Sequence, residues 1–255
     1  MTLLNKLFVP VRLHVRRVIR LISPLDFITR RFIRNNRRDL GASSLCLDIG
    51  AGTSPFKHQL IDAFSICHYV SVDLTPSREL DLVCDARSLP LRSAVADLVV
   101  SFDVLQHLPD AEIALDEIAR VLKPGGSALV VTPFAYGECD VRDYTRYTVD
   151  GILARLSARG LERDAVEKRG GGLFVFACFL TWRIQHLVPG QRRTWRSEKN
   201  LSDFARVGFV TLFTMPFHLL GWICLLLDSI AGYNKSGLYM GSIVLVTKTR
   251  PETTN

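Results

Sequence analysis

The sequence lacks the cysteine spacing on which disulfide-rich and zinc-binding domains depend. Its six cysteines form no C-x-x-C pair, have no histidine at metal-ligand spacing and stand mostly inside apolar runs: Cys46, Cys67, Cys84, Cys139, Cys178 and Cys224. A secreted disulfide framework and a zinc site are therefore both disfavoured. We expect buried, reduced thiols, a cytoplasmic location and no metal.

Acidic residues are almost missing from the N-terminal segment. Residues 1–38 contain ten Lys or Arg and one acid, Asp26, which gives a net charge of +9. The remaining 22 basic and 24 acidic residues leave the rest of the chain nearly neutral. Arginines interrupt every apolar run in this segment, so a secretory signal is not expected. The basic character belongs to an N-terminal attachment.

This attachment has helical periodicity between residues 11 and 22. One face of this helix would be apolar and the other basic. The apolar face would consist of Val11, Val15, Val18, Ile19 and Ile22. The basic face would consist of Arg12, Arg16, Arg17 and Arg20. Such a helix suits the surface of an anionic membrane. A solvated helix packed on the domain and an arginine-rich mitochondrial transit peptide are the alternatives.

Short apolar runs alternate with helical stretches from residue 41 onwards, which predicts βαβ units and a parallel sheet. Helices are predicted at Ala111–Leu122, with Asp110 as N-cap, and at Val149–Ser157. The predicted strands are Leu45–Ile49, Tyr69–Asp73, Leu80–Cys84, Asp97–Ser101, Ser127–Thr132, Leu161–Lys168 and Val244–Lys248. The expected domains are a basic arm (1–40), a core (41–171), an apolar helical insertion (172–235) and the last strand with a tail (236–255).

The insertion is short of charge. Residues 172–189 contain only Arg183, and residues 207–227 contain no charge at all. Twenty-one helical residues cover about 31 Å, enough to cross a bilayer. However, the connecting residues 190–206 carry a net charge of +3, which favours the cytoplasmic face, and the final strand must return to the sheet. We expect helices embedded in one leaflet, with a two-helix hairpin and a buried helical cap as alternatives.

A glycine turn directly follows the first predicted strand. Gly50 and Gly52 allow a tight turn and a close approach of the backbone to a ligand. The third glycine of a dinucleotide fingerprint is replaced by Pro55, and Asp48 would repel a pyrophosphate. A positively charged ligand fits this turn better.

Two further acids end the neighbouring strands. Asp73 stands where a carboxylate can accept both hydroxyls of a ribose, and Asp85 could accept from an adenine amino group. Together with Asp48, they would line the crevice at the carboxyl edge of the sheet. An amino acid that carries a sulfonium and is joined to adenosine satisfies all three acids.

These segments, in this order, resemble the motifs of class I S-adenosylmethionine-dependent methyltransferases. The resemblance covers residues 44–133 and rests on Leu47–Gly52, Val72–Asp73, Asp85–Pro90, Asp97–Ser101, Val104–Leu108 and Leu122–Gly126. Residues Asp143–Thr148 also resemble a segment of the small-molecule and lipid-acting branch. The resemblance implies an α/β, Rossmann-like fold with a seven-stranded, mostly parallel sheet, helices on both faces and an antiparallel last strand. The apolar helical insertion would precede that strand.

The same resemblance implies roles for individual residues. Gly50 and Gly52 would pass under the methionine portion of the cofactor, and Asp48 would face its ammonium through a backbone or water contact. Asp73 would hold the ribose, Asp85 and Ala86 the adenine, and Ser101 and Phe102 would lie beside the sulfonium. For each acid, the alternative is a capping or salt-bridging role.

Methyl transfer is an in-line displacement, in which a base helps when the acceptor is a hydroxyl. The candidates for that base are His107, Asp103 and Tyr144, with a helix-capping role as the alternative for His107 and a turn role for Asp103. Arg146 is predicted to hold an anionic acceptor, or else to form a salt bridge, and Tyr147 to contact the acceptor.

The function predicted from these observations is transfer of a methyl group from S-adenosylmethionine to a hydrophobic or lipid-linked acceptor. The enzyme would be peripheral or monotopic at the cytoplasmic face of an anionic membrane. A soluble methyltransferase for a small metabolite or sugar, and a catalytically silent membrane adaptor, are the alternatives. Nucleic acid is disfavoured as a partner, because no Asn-Pro-Pro-Tyr-like motif follows the fourth strand and few aromatic residues interrupt the basic arm.

Overall fold

The structure is a computed structural model that describes residues 23–77, 80–138, 142–187, 219–232 and 237–250. Its helices are α1 (Pro24–Asn35), α2 (Lys57–Phe64), α3 (Ala111–Val121), α4 (Val149–Ser157), α5 (Gly172–Leu187) and α6 (219–230). Its strands are β1 (Leu45–Ile49), β2 (His68–Asp73), β3 (Leu82–Val83), β4 (Ala96–Phe102), β5 (Leu122–Pro133), β6 (Leu161–Arg169) and β7 (Gly241–Lys248).

The seven strands form one sheet in the order β3-β2-β1-β4-β5-β7-β6. The first five strands are parallel, while β7 runs antiparallel to both β5 and β6. The predicted Rossmann-like sheet with an antiparallel last strand is therefore confirmed. Because β6 ends and β7 begins at the same edge, the chain leaves and re-enters the sheet at the carboxyl edge of the parallel strands.

Apolar residues on both sides of the strands explain why the sheet is buried on both faces. Leu47, Val99 and Val130 belong to one large cluster, which also contains the buried residues of α3 and α4. Their neighbours Leu98 and Leu129 point to the opposite face, because successive side chains of a strand alternate, and they are also fully buried. Burial on both faces is typical of parallel sheets covered by helices.

Several predicted boundaries needed correction. The predicted strand 80–84 shortens to Leu82–Val83, and β5 already begins at Leu122, so helix α3 ends at Val121. Asp110 takes the N-cap position of α3, but its side chain caps no backbone N–H. Cys67 is exposed, contrary to the expectation of buried thiols, whereas Cys46 is buried.

The chain divides into two compact units. One consists of Thr29–Arg169 and Met240–Asn255 and contains the sheet, and the other consists of Met1–Ile28 and Gly170–Tyr239. In the second unit, the buried carboxylate of Asp228 accepts hydrogen bonds from the backbone N–H groups of Leu173 (3.2 Å) and Phe174 (2.8 Å). These bonds fix α6 to the start of α5. The domain limits given above stay predictions.

The predicted amphipathic helix (11–22), Cys139, the basic connection (190–206) and residues 207–218 of the charge-free stretch lie outside the described residues. Within the parts that are described, no helix has both the length and the apolar character needed to cross a bilayer.

Candidate functional site

The turn after β1 is built around two glycines in the left-handed region. The backbone N–H groups of Gly50 and Ala51 both donate to the carbonyl oxygen of Val72, at 2.8 and 2.9 Å, which fixes the turn against β2. Gly50 has φ +71°, and a Cβ there would lie 2.2 Å from Cγ2 of Val104. Gly52 has φ +53° and open space where its Cβ would be. The first glycine thus admits the loop after β4, and the second leaves room for a ligand.

Asp73 stands beside this turn at the end of β2. Its Oδ2 accepts from the backbone N–H of Gly52 at 3.0 Å, and its Oδ1 accepts from that of Thr75 at 2.8 Å. The residue is half-buried, so each oxygen retains a lone pair that a ligand can use. This position suits the predicted role of binding ribose hydroxyls.

Asp48 lies below the turn and is only 2% exposed. Its Oδ2 accepts from Ser54 Oγ at 3.1 Å and from the hydroxyl of Tyr69. Burial raises the pKa of Asp48 to about 6, although the two hydroxyls partly counteract the shift by stabilising the anion. Burial and the neighbouring Asp48 also raise the pKa of Tyr69. Tyr69 was not among the predicted site residues.

Asp85 is already engaged by a neighbour. Its carboxylate forms a two-oxygen ion pair with Arg87, with Nη2 at 2.7 Å from Oδ2, and accepts from the Arg87 backbone N–H at 2.9 Å. These hydrogen bonds lower the pKa of Asp85. Ala86, between them, is half-buried. The salt-bridge alternative is present, and an adenine contact of Asp85 and Ala86 stays a prediction.

The end of β4 carries polar atoms that have no partner. Two buried atoms, Ser101 Oγ and Gln106 Oε1, have no hydrogen-bond partner among the described residues. The ring of Phe102 packs on Phe56, with centroids 4.8 Å apart. Buried polar groups without partners are rare and often mark a site that a ligand or water completes. The unpaired atoms, the space at Gly52 and the Asp73 carboxylate together fit a bound amino-acid nucleoside.

The three candidate bases lie around the loop after β4. Asp103 adopts a left-handed φ of +53°, and its carboxylate pairs with Nη1 of Arg169 at 3.1 and 3.2 Å. Tyr144 is exposed, and its backbone N–H donates to the carbonyl oxygen of Gln106 at 2.7 Å. Arg169 and Gln106 were both missed by the sequence analysis.

Both ring nitrogens of His107 are engaged. Nδ1 lies 2.6 Å from the carbonyl oxygen of Arg142, so it carries the proton, and Nε2 is left to accept from Gln106 Nε2 at 3.2 Å. The arrangement ties the loop after β4 to residues 142–144. It favours a structural role for His107 in joining these two segments and leaves the basic nitrogen occupied, while the roles of base and of helix cap stay predictions.

The predicted acceptor-binding residues have structural partners. Arg146 pairs with Asp143 through both terminal nitrogens and also donates to the carbonyl oxygens of Gly137 and Thr145. The salt-bridge alternative is therefore present, and binding of an anionic acceptor by Arg146 stays a prediction. The ring of Tyr147 is buried in the core, with the guanidinium of Arg155 5.4 Å from its centroid. Its contact with the acceptor stays a prediction.

In the part of the chain that is described, no group of three or more His, Cys, Asp or Glu is arranged to hold a metal ion. The predicted independence from metals stays a prediction.

Comparison with known proteins agrees with this geometry. Residues 47–130 match the family model described as "Methyltransferase domain". The tRNA (carboxymethyluridine(34)-5-O)-methyltransferase ALKBH8 of Mus musculus is 38% identical over 98 residues, which are 36% of this chain and 15% of that protein. The malonyl-[acyl-carrier protein] O-methyltransferase of Geobacter sulfurreducens is 36% identical over 157 residues, 48% of this chain and 59% of that protein. The chain thus spans less than two thirds of the length of these relatives.

A solved structure, phosphoethanolamine N-methyltransferase 2 of Haemonchus contortus in complex with S-adenosyl-L-methionine, superposes with a TM-score of 0.52. It is 18% identical and covers 87% of this chain and 52% of its own. At this identity the likeness concerns the fold, which is the sheet order described above. The family match over residues 47–130 thus supports the resemblance to class I S-adenosylmethionine-dependent methyltransferases that the sequence motifs carry.

Proposed function

We propose that the chain transfers a methyl group from S-adenosylmethionine to a hydrophobic or lipid-linked acceptor at the cytoplasmic surface of an anionic membrane. The methyl transfer is supported by the family and by the site at the carboxyl edge of the sheet. The membrane surface and the lipid-linked acceptor are supported by the helices of the second unit.

The observation that carries the proposal is the exposure of large apolar side chains on α5 and α6. Phe176, Leu226 and Ile230 are 68%, 62% and 77% exposed. The other exposed large apolar residues among the described side chains of these helices are Leu173, Phe179, Leu180, Leu219, Ile223 and Leu227. A concentration of this kind on two adjacent helices marks an interaction surface, because soluble surfaces carry such residues singly.

The energetics favour a lipid surface as the partner. Burial of a large apolar side chain contributes roughly 1.5–3 kcal/mol, so burial of four or five of these side chains would contribute on the order of 10 kcal/mol. Residues 1–38 add a net charge of +9 and residues 190–206 a net charge of +3. Each basic residue near an anionic leaflet adds about 1 kcal/mol. Apolar burial and charge attraction therefore act on the same partner.

When bound, S-adenosylmethionine supplies a methyl group activated by its sulfonium. The chain's own residues have the task of binding and alignment, since an in-line displacement requires little further chemistry from the protein. Asp73 and the glycine turn would hold the nucleoside and amino-acid portions. The loop after β4, which packs against Gly50 through Val104, would fix the side from which the acceptor approaches.

Flotation with vesicles tests the membrane part. The protein should float with phosphatidylcholine vesicles that contain phosphatidylglycerol, and less with pure phosphatidylcholine. The double variant Phe176→Ser with Leu226→Ser should lose most of this binding. The control, Val83→Ser with Ile113→Ser, replaces two exposed apolar residues of the sheet-containing unit (49% and 46% exposed) and should float like the parent. Equal flotation of both variants would refute the assignment of this surface.

Calorimetric titration with S-adenosylmethionine tests the methyltransferase part. We expect binding at micromolar strength, weakened in Asp73→Ala by about 1–3 kcal/mol for a lost charged hydrogen bond. Failure of a folded protein to bind would favour a catalytically silent adaptor. Binding of the cofactor without flotation would favour a soluble methyltransferase for a small metabolite or sugar.

A further inference from the structure

Asp103 is held in a conformation that its own backbone disfavours. Its φ of +53° is uncommon for a residue with a side chain. Three contacts maintain it: its N–H donates to the carbonyl of Val131 (3.0 Å), its carbonyl accepts from Gln106 Nε2 (2.6 Å), and its carboxylate pairs with Arg169. Backbone strain that the surroundings maintain in this way is concentrated at functional sites.

The ion pair between Asp103 and Arg169 is buried on one side only. The side chain of Arg169 is 8% exposed, whereas that of Asp103 is 42% exposed. Nη1 of Arg169 lies 3.1 and 3.2 Å from the two carboxylate oxygens, and its buried Nε has no partner among the described residues. The guanidinium therefore holds the carboxylate from the protein side, and the anion faces outwards.

The exposed carboxylate stands next to the cofactor turn. Val104, the residue after Asp103, packs against Gly50. Its Cγ2 lies 2.2 Å from the position that a Cβ of Gly50 would take. The unpaired Ser101 Oγ and Gln106 Oε1 lie on the same short stretch of chain. Asp103 therefore lies directly beside the cofactor turn and next to polar atoms that a ligand could pair with.

We propose that Arg169 is a positioning residue that holds Asp103 as the acceptor-facing carboxylate, and that the reactive group of the acceptor is a hydroxyl or an amine. This inference rests on the methyl transfer proposed above. A carboxylate can accept a hydrogen bond from an O–H or N–H group, which orients the acceptor atom. An acceptor that is itself a carboxylate would meet a like charge at this position.

For a hydroxyl acceptor the step balances without a further reactant. The acceptor oxygen forms a bond to the methyl carbon, and the sulfonium sulfur keeps the electron pair of the bond that breaks. The hydroxyl proton passes to the carboxylate of Asp103 and from there to water. The products are a methyl ether and the neutral thioether.

The chemical stability of the product tests the class of acceptor. The protein is incubated with tritium-labelled S-adenosylmethionine and a total lipid extract of the source organism, and the extracted label is treated with mild base. Methyl ethers and methylated amines retain the label, which is the expected result. Methyl esters release it as volatile methanol, and that outcome would overturn the assignment of the acceptor.

Variants of the ion pair test the positioning role. Arg169→Gln should lower kcat by about 100-fold and leave KM within about threefold, because a misplaced group costs rate more than binding. Arg169→Lys, which keeps a cation below Asp103, should recover part of the loss. The control Arg159→Gln removes ion pairs with Glu112 and Asp116 that connect the end of α4 to α3, and it should retain full activity. Equal activity of Arg169→Gln and Arg159→Gln would refute the positioning role.

A spectroscopic measurement gives a readout that needs no acceptor. The carbon-13 resonance of the methyl group of bound S-adenosylmethionine should shift in Asp103→Asn and in Arg169→Gln, but not in Arg159→Gln. An unchanged resonance in all three variants would contradict the placement of Asp103. If the parent binds no S-adenosylmethionine, methyl transfer itself fails. If it binds but labels no lipid, only the lipid acceptor fails and the resonance still decides the positioning role.

Discussion

The buried carboxylate of Asp48 should make the stability of the protein depend on pH. Its pKa is raised from 3.8 to about 6 by burial. A shift of about 2 units corresponds to roughly 3 kcal/mol between the protonated and ionised forms. Because the folded pKa is the higher one, this contribution to stability is fully present below pH 3.8 and is lost as the pH rises through about 6.

Urea unfolding between pH 4.5 and 7.5 measures this contribution. The free energy of unfolding of the parent should fall over that range by about 2 kcal/mol relative to Asp48→Asn, which cannot ionise; the remaining contribution of about 1 kcal/mol is lost below pH 4.5. The range avoids the acids with lowered pKa values, Asp81, Asp85 and Glu117, whose contribution is lost only at lower pH. Asp62→Asn, on the exposed surface of α2, should follow the parent. The same pH dependence in Asp48→Asn as in the parent would refute the argument.

Three further perturbations follow from the geometry. Gly50→Ala should abolish cofactor binding in calorimetry and destabilise the fold, because its Cβ would clash with Val104 and its φ is +71°. Asp228→Ala should lower the stability of the second unit by about 1–3 kcal/mol, seen as faster amide hydrogen exchange in α5, because two buried N–H groups lose their acceptor. Arg146→Ala should raise protease cleavage around residue 137 and leave cofactor affinity unchanged, because Arg146 holds the carbonyl of Gly137 to the segment that contains Asp143; weaker cofactor binding would contradict this.

Local patterns predicted much of the fold. The apolar run Leu45–Ile49 and the capped helix Val149–Ser157 were located to the residue, since Thr148 caps the latter by accepting from Gly151 N–H. The predicted strand 80–84 was too long, because β3 is at the sheet edge and pairs with β2 only at residues 82 and 83. The early start of β5 depends on pairing of Leu122 with Ala96, which no local pattern encodes.

Part of the candidate site was also predictable from local patterns, and part was not. The glycines and Asp73 were predictable because their roles depend on positions at the end of a strand. The residues that hydrogen-bond to the site carboxylates could not be predicted, because Tyr69 is 21 residues away from Asp48, and Arg169 is 66 residues away from Asp103. Contacts of that kind depend on strand order and register. The roles predicted for Arg146 and Tyr147 stay predictions, because side-chain direction and burial decide them and neither follows from the local sequence.

The bonds from Asp228 to the first turn of α5 have a consequence for how deeply this part of the protein can enter a membrane. The first N–H groups of a helix have no partner inside the helix and normally bind water. In hydrocarbon an unsatisfied backbone group costs several kcal/mol, which keeps most helix ends at the headgroups. Here two of these groups already bond to a carboxylate. The carboxylate of Asp228 would have to enter the hydrocarbon together with the beginning of α5, and a charge there costs more than the backbone groups that it satisfies. The beginning of α5 should therefore stay at the level of the headgroups, with only its apolar side chains reaching deeper.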